Sequence, residues 1–523
     1  MKTLLLSAIS LGLAAPIASA SSGSATAVLH ADQPGAVINR NLYGQFTEHL
    51  GHCIYGGIWV EPNSPIPNTR GIRNDVVAAL REIRVPVVRW PGGCFAEEYH
   101  WRDGIGAPDQ RPSMINTNWG GVVENNHFGT AEFMDFCEQV GCEPYICANL
   151  GSGTVQEASN WIEYMTSDAN SPLANLRRAN GRDKPWHLKY VAFGNENWGC
   201  GGTMRPEYYS DVYNRFNSFA KDYPGNKLYR VACGPNGDDY HWTEVLMRNI
   251  HAMYQPETPG MDGIALHNYT IPVGHWTNTD KGSATNFGED QYALTLAGAG
   301  HMDELVSKHL AIMDRYDSKK KVALVVDEWG VWTDSEPGTN PGFLYQQNSL
   351  RDALLAALTL HVFQKHADRV SMANIAQMVN VLQSMILTDG PRLLLTPTYY
   401  VYDLFKVHQD ATSLPIEVTS PDYAYGQTSF PAVSASASRD AAGKIHISLV
   451  NANPHDSIAL SCKLDGLASR SVSGRILTAP AMNSINTFDA PHTVEPAAFN
   501  GATVSGDTLN LTLPAKSVVV LEL

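Results

Sequence analysis

Long basic runs are missing from this chain of 523 residues. No lysine or arginine run exceeds Lys319–Lys320–Lys321, and 37 basic against 52 acidic residues leave a formal charge of −15. Nucleic acids and anionic membranes need a basic footprint, so neither is an expected partner. Cys-x-x-Cys pairs are also missing among the 8 cysteines, which argues against a zinc ribbon or a thioredoxin-like site. Most of these cysteines are expected to be buried small hydrophobes, and their pairing is not fixed by the sequence. There is no internal repeat and no long linker. With 44% apolar, 17% charged and 9% aromatic residues, the composition is globular and excludes disordered, collagen-like and coiled-coil chains. A soluble acidic protein with a neutral ligand fits best.

The N-terminus carries the pattern of an export leader. Met1–Lys2 supplies a positive start, Leu4 to Leu13 a short apolar stretch, and Ala18–Ser19–Ala20 a small-residue cleavage site. The stretch is too short to span a bilayer and has no charged stop behind it. Residues 1–20 therefore read as a signal peptide, and the mature chain as exported, to periplasm or medium, without a membrane segment.

From residue 41 to 400, short β-branched runs alternate with amphipathic stretches. The runs are 42–46, 85–90, 144–149, 190–195, 229–234, 263–267, 322–327 and 373–380. Val322–Val326 is apolar at every position, as in a strand covered on both faces. Helical stretches are expected over 75–83, 130–140, 155–165, 206–219 and 303–315, with Thr130 as an N-cap. Eight strands alternating with helices predict a (β/α)₈ TIM barrel, a doubly wound sheet being the alternative. Residues 401–523 switch to period-two alternation, as in 444–450, 457–462 and 508–513, which predicts an antiparallel β-sandwich. The run at 27–29, within residues 21–40, has no barrel partner and is expected to join that sandwich.

In a barrel of this type the chemistry sits at the carboxyl ends of the strands. Five runs end in polar residues of the right kinds: Glu48; Arg89; Asn195–Glu196; His267 and Tyr269, which share a face by alternation; and Asp327–Glu328. Paired glutamates with no cofactor motif nearby suit glycoside hydrolysis, in which one carboxyl protonates the leaving oxygen and another meets an oxocarbenium-like carbon. Trp59, Trp90, Trp198, Trp276 and Trp329 lie beside these motifs and could stack on sugar faces or simply pack. Glu48–His49 with His52–Cys53 looks like a metal cluster, but it lacks the His-Glu-x-x-His spacing. The two histidines are expected to be structural or pocket-lining, with no metal and no cofactor.

The ordered motifs Asn41-Leu-Tyr-Gly-Gln-Phe-Thr-Glu-His-Leu-Gly51, Arg89-Trp-Pro-Gly-Gly93, Tyr99-His-Trp-Arg-Asp-Gly104, Gly194-Asn-Glu196, Leu266-His-Asn-Tyr269, Asp327-Glu-Trp-Gly330 and Asn374-Ile-Ala-Gln-Met-Val-Asn380 closely resemble glycoside hydrolase family 51, mostly α-L-arabinofuranosidases. The resemblance implies a barrel with a β-sandwich that takes an N-terminal strand, and a retaining, exo-acting enzyme. It makes Glu196 the general acid/base and Glu328 the nucleophile. Glu48, Arg89, Asn195, His267, Tyr269 and Gln377 match positions that hold the arabinose ring; Cys94, Trp198 and Trp276, which lie beside these motifs, are read as further substrate contacts. The implied partner is an arabinofuranosyl oligo- or polysaccharide, and the implied assembly a homo-oligomer. Two places depart from the pattern: Cys94 stands where many relatives have Asn, and Asn197–Gly202 replaces a different acidic loop. The alternatives are a retaining endo-glucanase or endo-xylanase on the same scaffold, and a non-enzymatic carbohydrate-binding protein.

Overall fold

Eight parallel strands close on themselves in chain order. The computed structural model describes residues 23–252, 255–277, 280–467 and 471–523. After an N-terminal strand β1 (Gly23–His30), the barrel is built from β2 (Gly44–Phe46), β3 (Val87–Trp90), β4 (Glu143–Ala148), β5 (Tyr190–Phe193), β6 (Tyr229–Ala232), β7 (Gly263–Thr270), β8 (Ala323–Val331) and β9 (Val370–Ala376). The helices are α1 (Asn74–Glu82), α2 (Thr130–Val140), α3 (Val155–Thr166), α4 (Pro172–Ala179), α5 (Pro206–Phe219), α6 (Tyr240–Asn249), α7 (Glu289–Tyr316), α8 (Leu350–Lys365) and α9 (Pro397–Phe405). The (β/α)₈ expectation is therefore met.

The apolar runs are continuous because the strands are buried on both faces. Val87, Tyr145, Cys147, Tyr190, Ala192, Val231, Ala265, Val325 and Met372 fill the barrel interior, while Leu324 and Val326 pack outward under the helices. The interior is a packed plug, so a ligand has room only above it, at the carboxyl ends.

Two local readings are corrected. Thr130 is the first helical residue of α2 and not its cap, which is Gly129, whose N–H bonds to Glu132. The Thr130 hydroxyl instead accepts from the Trp161 indole at 3.0 Å. Helix α7 begins 14 residues before the expected stretch, at Glu289. Its first half, rich in Ala and Gly, gives little amphipathic signal, yet Tyr292, Ala293 and Leu296 are buried.

The sandwich consists of two sheets. One orders Ile416–Thr419, β1, Ile458–Asp465, Thr508–Leu513 and Ala502–Ser505; the other orders Thr412–Leu414, Val433–Arg439, Ile445–Asn451, Ser517–Glu522, Ser473–Leu477 and Ala497–Ala498. Strand β1 enters as expected, but it lies parallel to Ile458–Asp465 while its other edge is antiparallel to Ile416–Thr419. The sandwich packs against α8 and is not tethered by a linker: His361 of α8 bonds to Ser434 and Ser448 at 2.9 Å each. Among the described residues no helix is long and apolar enough to cross a membrane.

Candidate active site

The floor of the site is Asp327, midway along β8. It accepts from the Tyr145 hydroxyl at 2.7 Å and lies 3.5 Å from Arg89 Nε and 3.2 Å from His267 Nε2. Strict alternation would send Asp327 and Glu328 to opposite faces of the strand. The pairing of β8 slips between Val325, opposite Ala265, and Glu328, opposite His267. A bulge of this kind re-aims a side chain, and here both carboxylates reach the barrel mouth.

Glu328 is held from two sides. Arg89 Nη1 donates to it at 3.0 Å and the Tyr269 hydroxyl at 2.7 Å. Glu196 follows β5, and its Oε1 lies 3.0 Å from His267 Nδ1, which is also 3.3 Å from Glu328 Oε2. One oxygen from each glutamate and this ring nitrogen all lie within 4.8 Å of one another. Gly194 makes the turn possible: its φ is +91°, and a Cβ there would sit 2.0 Å from Asn197 Oδ1. Glu196 itself has φ +43°, a left-handed conformation that a side chain adopts only when its surroundings hold it.

Glu48 closes the opposite wall. It accepts from the backbone of Gly93 (2.9 Å) and Phe95 (3.3 Å), from the Trp119 indole (2.9 Å) and from the Gln377 amide (2.7 Å). Asn195 accepts from Arg89 through Oδ1, so six of the expected residues (Glu48, Arg89, Asn195, His267, Tyr269 and Gln377) are gathered around the two glutamates. The outer residues differ. Trp59, Trp90 and Trp329 are buried core. Trp198 is half-buried and donates to the Gly234 carbonyl. Trp276 is 56% exposed and meets Trp332 edge-on at 5.0 Å, and Trp332 meets Tyr269 at 5.0 Å. With Asn268, His275 and His301 it lines a side groove of about 570 Å³. Cys94 is joined to Cys200 in a disulfide, so it offers no free thiol to a substrate. The six other cysteines are free, five buried and Cys142 half-buried.

Electrostatics sort these acids by environment. Burial raises the Glu196 carboxyl above the usual range, and the Glu328 charge adds to that. Glu48 is pushed up to about 7, first by burial and then by Glu328. For Asp327 burial works upward, but the Arg89 charge and the His267 contact win and hold it low. Burial pulls the His267 imidazole down, yet Glu328, Asp327 and Glu196 together lift it to about 10. The cations Arg89 and His267 thus lie against Asp327 and Glu328, while burial favours the protonated form of Glu48 and of Glu196.

His49 serves the structure. Its Nε2 accepts from the Trp90 indole at 3.1 Å and its Nδ1 faces Glu124 at 3.0 Å. Sequence reasoning missed Glu97, whose carboxylate accepts from the Asn195 and Leu150 backbones and the Asn197 amide beneath the Glu196 loop. It also missed Trp119, on the turn between Met114–Ile115 and Val123–Glu124. Neither residue ends an apolar run, so neither carried a local signal.

Models of the α-L-arabinofuranosidase 1 domain and of the α-L-arabinofuranosidase C-terminal domain match residues 79–270 and 327–517. An intracellular exo-α-L-arabinofuranosidase of Bacteroides ovatus is 52% identical over 98% of this chain and 98% of its own. The chain belongs to the α-L-arabinofuranosidase family. A probable member from Aspergillus fumigatus is 34% identical, covering 84% of this chain and 86% of that one. The crystal structure of a family 51 arabinofuranosidase from Xanthomonas axonopodis pv. citri superposes with a TM-score of 0.93 at 55% identity, over 95% of this chain and 99% of that one. The chain is thus a glycoside hydrolase of this family, which removes the binding-protein alternative.

One expectation falls with these comparisons. Export is overturned by the Bacteroides ovatus relative, which is described as intracellular although it is alike over nearly its whole length. The proposed leader, residues 1–20, lies outside the described residues. The physical reason for the misreading is that a ten-residue stretch interrupted by Ser7, Ser10 and Gly12 and followed by small residues is a compositional pattern only, which an ordinary N-terminal segment can share.

Proposed function

We propose that the chain removes terminal, non-reducing α-L-arabinofuranosyl residues from arabinan, arabinoxylan or oligosaccharides derived from them, by double displacement with retention. The observation that carries this reading is the approach of Glu196 and Glu328 to within 4.8 Å. Retaining pairs stand about 5–5.5 Å apart and inverting pairs about 6.5–9.5 Å, the latter leaving room for water between them. Glu328, oriented by Arg89 and Tyr269, is the nucleophile at the anomeric carbon. Glu196, whose proton affinity burial raises, gives its proton to the leaving oxygen. It then takes a proton from the water that cleaves the glycosyl-enzyme.

The surrounding residues fit a small polyol. Gln377 Oε1 is buried without a partner among the described residues, a costly state that a sugar hydroxyl relieves. In this reading Asn195 bonds the 2-hydroxyl, a contact that strengthens in the transition state. Glu48, Arg89, Asn195 and Gln377 are all buried, which suits a chain end entering a pocket. The test is product analysis on 4-nitrophenyl α-L-arabinofuranoside and on arabino-oligosaccharides. Release of single arabinose units is expected; an early fall in polymer viscosity would favour an endo-acting enzyme. The reading includes the homo-oligomer that the resemblance implies, which light scattering checks; a monomer mass would remove that part.

A further inference from the structure

The loop after Glu196 is tied to the loop after β3 by a bond that the catalytic reading does not use. Cys94 and Cys200, 106 residues apart, are joined. Their sulfurs lie 3.9 and 3.7 Å from Glu196 Oε2. The other oxygen of the same carboxyl faces His267, so the bridge covers the oxygen that His267 leaves free. The Cys200 sulfur also lies 3.8 Å from Asn195 Nδ2. Cys94 opens the short turn Cys94–Glu97, whose Glu97 carboxylate braces Asn195 and Asn197 from below. Glu196 therefore sits at φ +43° between a carboxylate brace and a covalent tie.

We infer that the Cys94–Cys200 disulfide is a positioning clamp for the acid/base carboxyl, and that opening it weakens general acid catalysis in preference to substrate capture. The inference rests on the assignment of Glu196 as acid/base. A dithiol reductant breaks the S–S bond: two electrons and two protons pass to the cysteines, which become two thiols, and the reductant becomes a disulfide. Which form exists is set by the reducing power of the surroundings. Once the tie is open, the segment 197–202 keeps the packing of Trp198 and its hydrogen bonds, among them Gly199 N–H and Gly201 N–H to the Glu196 carbonyl. A carboxyl free to shift by about 1 Å loses much of its advantage as a proton donor.

Leaving groups supply the test. On the full-length enzyme, kcat/KM is measured oxidised and dithiothreitol-reduced, with 4-nitrophenyl α-L-arabinofuranoside and with an arabino-oligosaccharide whose alkoxide must be protonated to leave. Reduction is expected to depress the oligosaccharide reaction about 10- to 100-fold more than the nitrophenyl one, with recovery on reoxidation. The double variant C94S/C200S is expected to show the same ratio and no response to reductant. Its pH profile on the oligosaccharide is expected to show a displaced basic limb. Equal losses on both substrates would indicate a merely structural tie, and no loss on either would make the bridge irrelevant to catalysis; either result overturns the clamp. So does a thiol count, under oxidising conditions, in which Cys94 and Cys200 are unpaired. E196A is run alongside. If it lacks leaving-group dependence, the acid/base assignment fails; if it has that dependence and C94S/C200S does not, only the clamp fails.

Discussion

Two buried histidines in this molecule have been pushed in opposite directions. His267, at the barrel mouth, faces Glu196, Glu328 and Asp327 and is lifted to about 10. His361, at the seam between α8 and the sandwich, is bonded to the hydroxyls of Ser434 and Ser448, stacks on Phe405, and is lowered by burial to about 3. Beside it His408 is also held well below the ordinary range, by burial and then by His446, with Nδ1 on Ser438. Burial alone disfavours charge in both places. What differs is the partner: carboxylates at the mouth supply a countercharge, and serine hydroxyls at the seam supply only neutral bonds. The mouth concentrates charge where a reaction can use it, and the seam excludes charge where domains must stay joined.

Removing charge from the mouth is expected to give the largest effects. Glu328→Ala should lower turnover on every substrate by roughly 10⁴–10⁶-fold, because no other group can attack the anomeric carbon. Steady-state kinetics on the nitrophenyl and oligosaccharide substrates check this, and a substrate-dependent loss would contradict it. Glu196→Ala should cost about 10²–10⁴-fold on poor leaving groups and much less on good ones. Glu48→Gln replaces an acceptor of four hydrogen bonds with an amide. It should reduce kcat/KM roughly 10- to 100-fold, as expected when buried donors are left without a matched acceptor.

The seam sharpens the comparison through pH. A histidine whose folded value lies below its ordinary value binds fewer protons folded than unfolded. Its contribution is therefore intact above about pH 6.5 and is lost as the pH falls toward about 3. His361→Gln should destabilise the protein at pH 7, where two serine bonds are weakened, and less at pH 4, where wild type carries the proton penalty. Thermal unfolding at the two pH values tests this; a constant deficit would mean that folding does not change the proton affinity of His361.

Much of the fold was legible because parallel strands buried on both faces leave apolar runs, and Val322–Val326 shows that burial directly. The candidate site was legible where one of its residues ends such a run, as Glu196 and Glu328 do. What failed to show was geometry that no local pattern encodes. The bulge in β8 brings Asp327 and Glu328 to one side, against the alternation of a regular strand. The parallel pairing of β1 depends on a partner more than 400 residues away. Glu97 and Trp119 come from connecting loops, where nothing in the neighbouring residues marks them. The Cys94–Cys200 pair becomes visible only when two loops meet above the barrel.

The facing roles of Glu196 and Glu328 are tested most directly by the configuration of azide products. In E196A the nucleophile remains, so azide intercepts the glycosyl-enzyme after one inversion and adds a second; an α-L-arabinofuranosyl azide is expected. In E328A azide can only take the place of the missing carboxylate, a single inversion that gives the β-configured azide. Nuclear magnetic resonance of the two products decides between the assignments: α from E196A and β from E328A accord with the account, and the reverse pair would contradict it.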